Sequence, residues 1–144
     1  MLVTSAIDAL VHVRTSTSKG LGTGKQFTDR TGQIAAELAI PFTREDAQEV
    51  WKHRSDIAHG RDPWESRRNA KGDLQQSPEL TKNDPMVRRC LTSEQILRSV
   101  ILKCLTDTEY AGRFECDECV ENAYPVTRAT AKKPRINPGN QASS

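Results

Sequence analysis

Two residues that could act on a phosphodiester, Arg54 and His59, stand five positions apart within residues 51–60, WKHRSDIAHG. A guanidinium is always charged and forms forked hydrogen bonds to phosphate oxygens. An imidazole changes charge near neutral pH, so it can take or give a proton. Metal-free RNA cleavage needs a base for the 2′-hydroxyl, an acid for the leaving 5′-oxygen and positive charge at the phosphate. These residue types suit that chemistry, and Ser55 can add a hydroxyl donor.

The spacing of apolar residues around this pair predicts an amphipathic helix that ends at Gly60. The stripe recurs at three- and four-residue steps: Ala47, Val50, Trp51, Ile57 and Ala58. Arg54 falls inside it, where a charge is costly unless it is paired. Five helical residues turn about 500°, which leaves Arg54 and His59 roughly 140° apart. They converge only if the helix is distorted at its end, as a glycine permits.

The string Arg54-x4-His59-Gly60, preceded by Trp51, resembles the R-x4-6-H signature of HEPN domains, and more narrowly that of the Apea-like HEPN group. The order of elements agrees over roughly residues 4–110. The surrounding matches are Ala-Ile-Asp-Ala-Leu before the motif, Phe27-x2-Arg30 between, and Ile96-Leu97-Arg98-x2-Ile101-Leu102 after it.

The resemblance implies a metal-independent endoribonuclease, without a cofactor, that leaves a 2′,3′-cyclic phosphate and a 5′-hydroxyl. Arg54 and His59 would be catalytic, with Ser55 supporting them, and a homodimer would build one composite site. An acidic residue of the first helix would pair with the motif arginine; Asp8 matches that position, where the family more often has Glu. Antiphage defence or a toxin–antitoxin system would be the setting, with RNA as substrate and an antitoxin as a further partner.

Other interpretations remain open from the residues alone. Asp8 is equally well a solvated helix residue, Arg54 a buried ion-pair residue, and His59 a cap on the carbonyls of its own helix. The chain would then be a non-catalytic HEPN module that binds RNA, a nucleotide or a protein partner. The first helix begins close to Met1 without a cap, which suggests a fragment with a missing N-terminal domain. A truncated domain that is unstable alone is a third interpretation.

Periodicity predicts an all-α bundle of about four helices, since no segment alternates as a strand does. The resemblance implies that this bundle is HEPN-like. The helical domain is predicted at residues 1–121 and a disordered basic tail at 122–144. The predicted helices cover residues 2–17, 25–39, Thr43 to about His59, and a segment that starts at 91–94, capped by Thr92 or Ser93, and continues towards Tyr110.

A long polar loop is predicted at residues 60–91, directly after His59. Its first half contains Arg61, Arg67 and Arg68, which could attract RNA phosphates, although a solvated loop explains them equally simply. Trp64 would stack on a base or pack the loop onto the helices. The stretch 18–24, SKGLGTG, is superficially like a phosphate-binding loop but lacks the Gly-Lys-Ser/Thr ending, so we interpret it as a linker.

Composition favours a cytoplasmic protein that is not bound to a membrane. The net charge of +2 is nearly neutral, and no apolar run approaches the length of a membrane span. The four cysteines are expected to be reduced thiols. Cys116-x2-Cys119 is half of a zinc pattern without a second half, so no metal site is predicted.

Overall fold

A computed structural model of the chain describes residues 2–61 and 84–126. All the regular structure in these two segments is helical, which confirms the predicted all-α class. The helices are α1 (Leu2–Val11), α2 (Thr23–Glu37), α3 (Arg44–Ala58), α4 (Pro85–Thr106), α5 (Thr108–Gly112) and α6 (Asp117–Ala123). Within the same segments, no helix combines the length and the apolar character that crossing a membrane requires. Most of the predicted loop and tail lies outside the described residues.

Helix α3 begins as predicted, because its cap is local. The Thr43 hydroxyl accepts the Asp46 N–H at 3.2 Å, and the Asp46 carboxylate accepts the Thr43 N–H at 3.0 Å. This reciprocal pair is a capping box, which satisfies donors that the first turn of a helix leaves open. Asp46 also accepts a 2.7 Å hydrogen bond from Arg89 of α4, so the cap ties two helices together.

Helix α1 ends at Val11, six residues before the predicted end. Thr15 and Ser18 close a compact turn instead: the Ser18 Oγ accepts the Thr15 N–H at 2.8 Å, and the Thr15 Oγ1 accepts the Ser18 N–H at 3.0 Å. Short hydroxyl side chains offer the backbone partners that compete with a helix. The apolar stripe of α1 therefore stops where these side chains begin.

Helix α4 begins at Pro85, so the prediction of a start at residues 91–94 is wrong. The Asp84 carboxylate accepts the Met86 N–H at 2.8 Å, and Pro85 occupies the first helical position, where its missing N–H costs nothing. The predicted caps are interior residues. The Thr92 and Ser93 hydroxyls each donate to a carbonyl one turn earlier, at 2.9 and 2.8 Å.

The segment after α4 departs from the sequence prediction in two ways. Cys116 and Cys119 form a disulfide rather than two reduced thiols, whereas Cys90 and Cys104 are free. The second departure is that Tyr124 and Val126, which fall in the predicted tail, are buried. The helices α5 and α6 are too short to show a period, which is why the sequence did not indicate them.

The helices pack around one core to which all six described helices contribute buried apolar side chains. Helices α2 and α3 are antiparallel: the Phe27 and Trp51 rings are 5.2 Å apart near one end, and Gly32 faces the Arg44 backbone near the other. Helix α4 packs on both α1 and α3. The most buried apolar members of the core are Ile7, Val11, Phe27, Ile34, Ala35, Ala47, Val50, Ile96, Val100, Tyr110 and Val120.

The most deeply buried charge is Arg30 of α2, whose side chain is 0% exposed. Its guanidinium donates to the Val11 carbonyl at 2.6 Å, the Tyr124 carbonyl at 2.9 Å and the Gln26 amide oxygen at 2.6 Å. It also forms an ion pair with Glu121 of α6. The Arg30 side chain thus joins the end of α1 to α2, to Glu121 of α6 and to Tyr124, the residue directly after α6.

We predict that Arg30→Met lowers the free energy of unfolding by roughly 3–5 kcal/mol, because Glu121 and two backbone carbonyls lose their partner in a buried place. Arg98→Met is the matched control, since Arg98 pairs with Glu94 on the surface and such pairs are worth about 1 kcal/mol or less. Urea denaturation followed by circular dichroism measures both. Equal losses of unfolding free energy in the two variants would contradict the view that Arg30 stabilises the fold through its buried contacts.

Candidate functional site

Arg54 lies half-buried between α3 and α1, with 27% of its side chain exposed. Its Nη2 is 3.5 Å from the Asp8 Oδ2 of α1, and its guanidinium carbon lies 4.7 Å from the centroid of the Trp51 ring. The charge in the apolar stripe therefore has a carboxylate on one side and an aromatic face on another. Of the two readings of Asp8, the structure shows the ion pair.

His59 is the C-cap residue of α3, and the helix ends at the place that the sequence predicted, directly before Gly60. Gly60 adopts φ +68°, a left-handed conformation that favours glycine. The Gly60 N–H donates to the Ile57 carbonyl at 3.1 Å, and the Arg61 N–H donates to the Asp56 carbonyl at 2.8 Å. This is the Schellman arrangement of a helix end. The His59 side chain is exposed beside it.

The same hydrogen bonds bear on the alternative in which His59 caps its own helix. The carbonyls of Ser55, Asp56 and Ile57 already accept backbone N–H groups, and the His59 N–H donates to the Ser55 carbonyl at 3.0 Å. An imidazole is not needed for that purpose. Ser55 is half-buried one turn before His59, so the two residues share a face of the helix end.

Trp51 packs closely against α2 because Gly24 has no side chain at the point of contact. A Cβ added at Gly24 would lie 2.5 Å from the Trp51 Nε1, closer than such atoms approach. The indole thus packs directly on the backbone of α2 and carries Arg54 on its ring. The position of the candidate arginine depends on a glycine 30 residues earlier in the chain.

Asp8 is in an unusual electrostatic position for a surface helix. Burial raises the pKa of its carboxyl, against the opposing effects of Arg54 and His12. Within the two described segments, the Asp8 Oδ1 and the His12 Nδ1 are both buried without a hydrogen-bond partner. Buried polar atoms are normally satisfied, so these two unpartnered atoms distinguish this part of α1 from an ordinary surface helix. Sequence reasoning missed His12, although its four-residue spacing from Asp8 was the available signal.

Of the basic residues that the sequence predicted to bind RNA, the described residues include Arg61 alone. Arg61 is exposed, and its Nη1 lies 3.4 Å from the Asp56 Oδ1. Arg67, Arg68 and Trp64 lie outside the described residues. Across residues 2–61 and 84–126, no three His, Cys, Asp or Glu side chains are grouped so that they could hold a metal ion.

No protein-family model, no curated protein and no solved structure matches this chain. The candidate site is therefore interpreted from its residue types, their geometry and the motif in which they stand.

We predict that Gly24→Ala destabilises the protein by about 1–3 kcal/mol, because the added methyl group displaces the Trp51 indole. Gly32→Ala in the same helix is the control. Its Cβ would meet the Arg44 backbone at an ordinary 3.7 Å, so the change should stabilise by roughly 0.5–1 kcal/mol through helix propensity. Thermal unfolding of both variants measures the expected loss of stability for Gly24→Ala and the expected gain for Gly32→Ala. Tryptophan emission in a Trp64→Phe background should shift for Gly24→Ala alone.

The shifted carboxyl groups predict opposite pH dependences for two Asp→Asn variants. Burial raises the pKa of Asp8, so the stability it contributes is present at about pH 3 and is lost as the pH rises through its folded-state pKa. The hydrogen bond from Arg89 lowers the pKa of Asp46, so its contribution is present at neutral pH and is lost on acidification. Relative to wild type, Asp8→Asn should therefore gain stability between about pH 3 and pH 7, and Asp46→Asn should lose it. Urea titrations at both pH values test this, and parallel changes would contradict it.

Proposed function

We propose that the protein is a metal-independent endoribonuclease of the HEPN type that acts as a homodimer, with Arg54 stabilising phosphate charge and His59 transferring protons. The observation that carries the proposal is the placement of Arg54 between Asp8 and Trp51, one helical turn from the closed helix end that presents His59. The HEPN motif suggests antiphage defence or a toxin–antitoxin system as the setting.

Arg54 is suited to a developing phosphate charge because it is oriented without being saturated. A guanidinium offers five N–H donors, and the contact with Asp8 is a single, long one at 3.5 Å. The Trp51 ring contacts the guanidinium as well, with its centroid 4.7 Å from the guanidinium carbon. A side chain held in this way loses little further freedom when a phosphate binds, which is the condition for effective electrostatic stabilisation.

His59 is suited to proton transfer because it is exposed and because its helix end is already satisfied by backbone donors. The imidazole is therefore available to a bound strand. Ser55, one turn earlier on the same face, could donate its hydroxyl to a phosphate oxygen.

One chain supplies one such histidine, whereas the reaction needs both a base and an acid. A two-fold dimer would supply the second set of Arg54 and His59. Helix α4 supports association of two copies, because large apolar side chains remain exposed on it: Leu91, Ile101, Leu102 and Leu105. Glu94 and Arg98 lie between Leu91 and Leu102, so an antiparallel copy of α4 would bring opposite charges together.

We predict that the protein cleaves single-stranded RNA in EDTA and that Arg54→Ala and His59→Ala each lower kcat/KM by about 100-fold or more. Lys52→Ala and His53→Ala are matched controls on the same helix and should keep activity. Mixing the Arg54→Ala and His59→Ala proteins should not restore activity, because each heterodimer holds a single His59 and the proposed reaction needs both a base and an acid. Analysis of the product ends checks the mechanism, because the proposed reaction leaves a 2′,3′-cyclic phosphate.

Loss of cleavage with chelator, or activity in both single variants, would show that this mechanism is wrong. RNA binding without turnover by dimers would instead favour the non-catalytic module. Equal loss in His53→Ala and His59→Ala would point to a general disturbance of α3 rather than to one proton-transfer residue.

A further inference from the structure

The turn between α1 and α2 forms a cavity of about 500 Å³ that is open to solvent, a size within the range of small-molecule sites. Residues 18–21 line this cavity, and they belong to the stretch that we interpreted from the sequence as a linker. The charged side chains of its lining are Arg14 and Lys19, together with the titratable His12, and no carboxylate is among the lining residues. A cavity with this lining favours an anion.

The cavity wall is built by hydrogen bonds rather than by a loose loop. The Ser18 Oγ donates to the Val13 carbonyl at 3.0 Å and accepts the Thr15 N–H at 2.8 Å. The Gln26 Oε1 accepts the Val13 N–H at 3.1 Å, and its amide nitrogen donates to the Leu21 carbonyl at 3.5 Å. Both ends of the turn are thereby fixed to α2 and to each other. A ligand would meet a preformed surface, which reduces the entropy cost of binding.

The nearest acidic side chains have partners of their own. Asp117 accepts the backbone N–H of Arg14 at 2.8 Å, and Glu121 pairs with the buried Arg30 and accepts from the Thr15 hydroxyl. Asp117 therefore positions Arg14 through its backbone, and the exposed Arg14 side chain extends from a fixed point. Truncating that side chain leaves the Asp117 contact in place.

His12 connects this cavity to the candidate active site. It lines the cavity, and its backbone N–H donates to the Asp8 carbonyl at 2.8 Å, so it continues the turn of helix that carries Asp8. Asp8 in turn contacts Arg54. A chain of adjacent residues thus leads from the candidate catalytic arginine to the cationic cavity. The buried, unpartnered Nδ1 of His12 lies at the junction.

We propose that this cavity binds a backbone phosphate of the RNA substrate other than the one that is cleaved, with Arg14 and Lys19 as the binding cations. The proposal rests on the proposed ribonuclease function, because that function makes a strand with adjacent phosphates the ligand of the Arg54 site. The cavity thereby sets how the strand lies, and Arg14 and Lys19 strengthen ground-state binding without entering the chemistry.

The test uses a fluorescein-labelled 2′-O-methyl oligouridylate, which lacks the nucleophile and cannot be cleaved. In the full chain, the double variant Arg14→Ala, Lys19→Gln should bind it about tenfold or more weakly than wild type, and the salt dependence of binding should fall by about one phosphate contact. Arg44→Ala, Lys52→Gln is the matched double control and should bind as wild type, because neither residue lines the cavity. With cleavable RNA, the cavity variant should show a raised KM and an unchanged kcat.

Inorganic phosphate, compared with chloride at equal ionic strength, distinguishes a strand phosphate from a free one. If inorganic phosphate competes weakly with the oligouridylate in wild type but not in the cavity variant, the cavity binds a phosphate that belongs to the RNA strand. Tight binding of inorganic phosphate without any effect on the oligouridylate would overturn the proposal, since the cavity would then serve a free anion.

The cavity and the nuclease can fail separately. Wild-type binding in the cavity variant, with cleavage still abolished by Arg54→Ala, overturns the cavity proposal and leaves the nuclease. Binding that depends on Arg14 and Lys19, with no cleavage by wild type, supports the phosphate site and overturns the nuclease. Absence of any oligouridylate binding by wild type overturns the cavity proposal. Thermal unfolding of the double variant, unchanged from wild type, excludes misfolding as the cause of a loss.

Discussion

A fully buried guanidinium at Arg30 constrains this structure more than any other described group. A charge in that place is tolerated only when it is paired and hydrogen-bonded, and here the partners come from three parts of the chain: the Val11 carbonyl, the Tyr124 carbonyl and Glu121. The end of α1 and the segment around α6 must therefore reach α2 together. The turn that follows α1, and with it the cationic cavity, takes its position from this requirement.

The candidate active site depends on a second close approach, between α2 and α3. Trp51 lies on the bare backbone of Gly24, Arg54 lies on Trp51, and Asp8 holds the guanidinium from α1. The arginine is thus placed by helix packing and not by a loop, which gives a site the rigidity that charge stabilisation needs. The orphaned oxygen of Asp8 and the orphaned nitrogen of His12 are local costs that a bound strand or solvent would offset.

Local signals explain the parts of the fold that the sequence predicted correctly. The capping box of Thr43 and Asp46 and the left-handed Gly60 each involve neighbours in the chain, so residue types were enough to mark both ends of α3. The start of α4 at Asp84-Pro85 was just as local, but it lay inside a breaker-rich stretch that we interpreted as loop. The early end of α1 went unpredicted because its apolar stripe gave no sign that Thr15 and Ser18 would bond to each other.

By itself, the sequence determined the helical class, the bounds of α3 and the presence of an arginine that needed a partner, because periodicity, caps and an apolar stripe act over a few residues. Only the tertiary structure decided that Asp8 is that partner, that His12 joins it, and that the glycine-rich stretch closes a cationic cavity. Those outcomes depend on contacts between segments distant in the chain, such as Arg30 with Tyr124, 94 residues apart. No local pattern encodes such contacts, since their free energy arises only when the helices are packed.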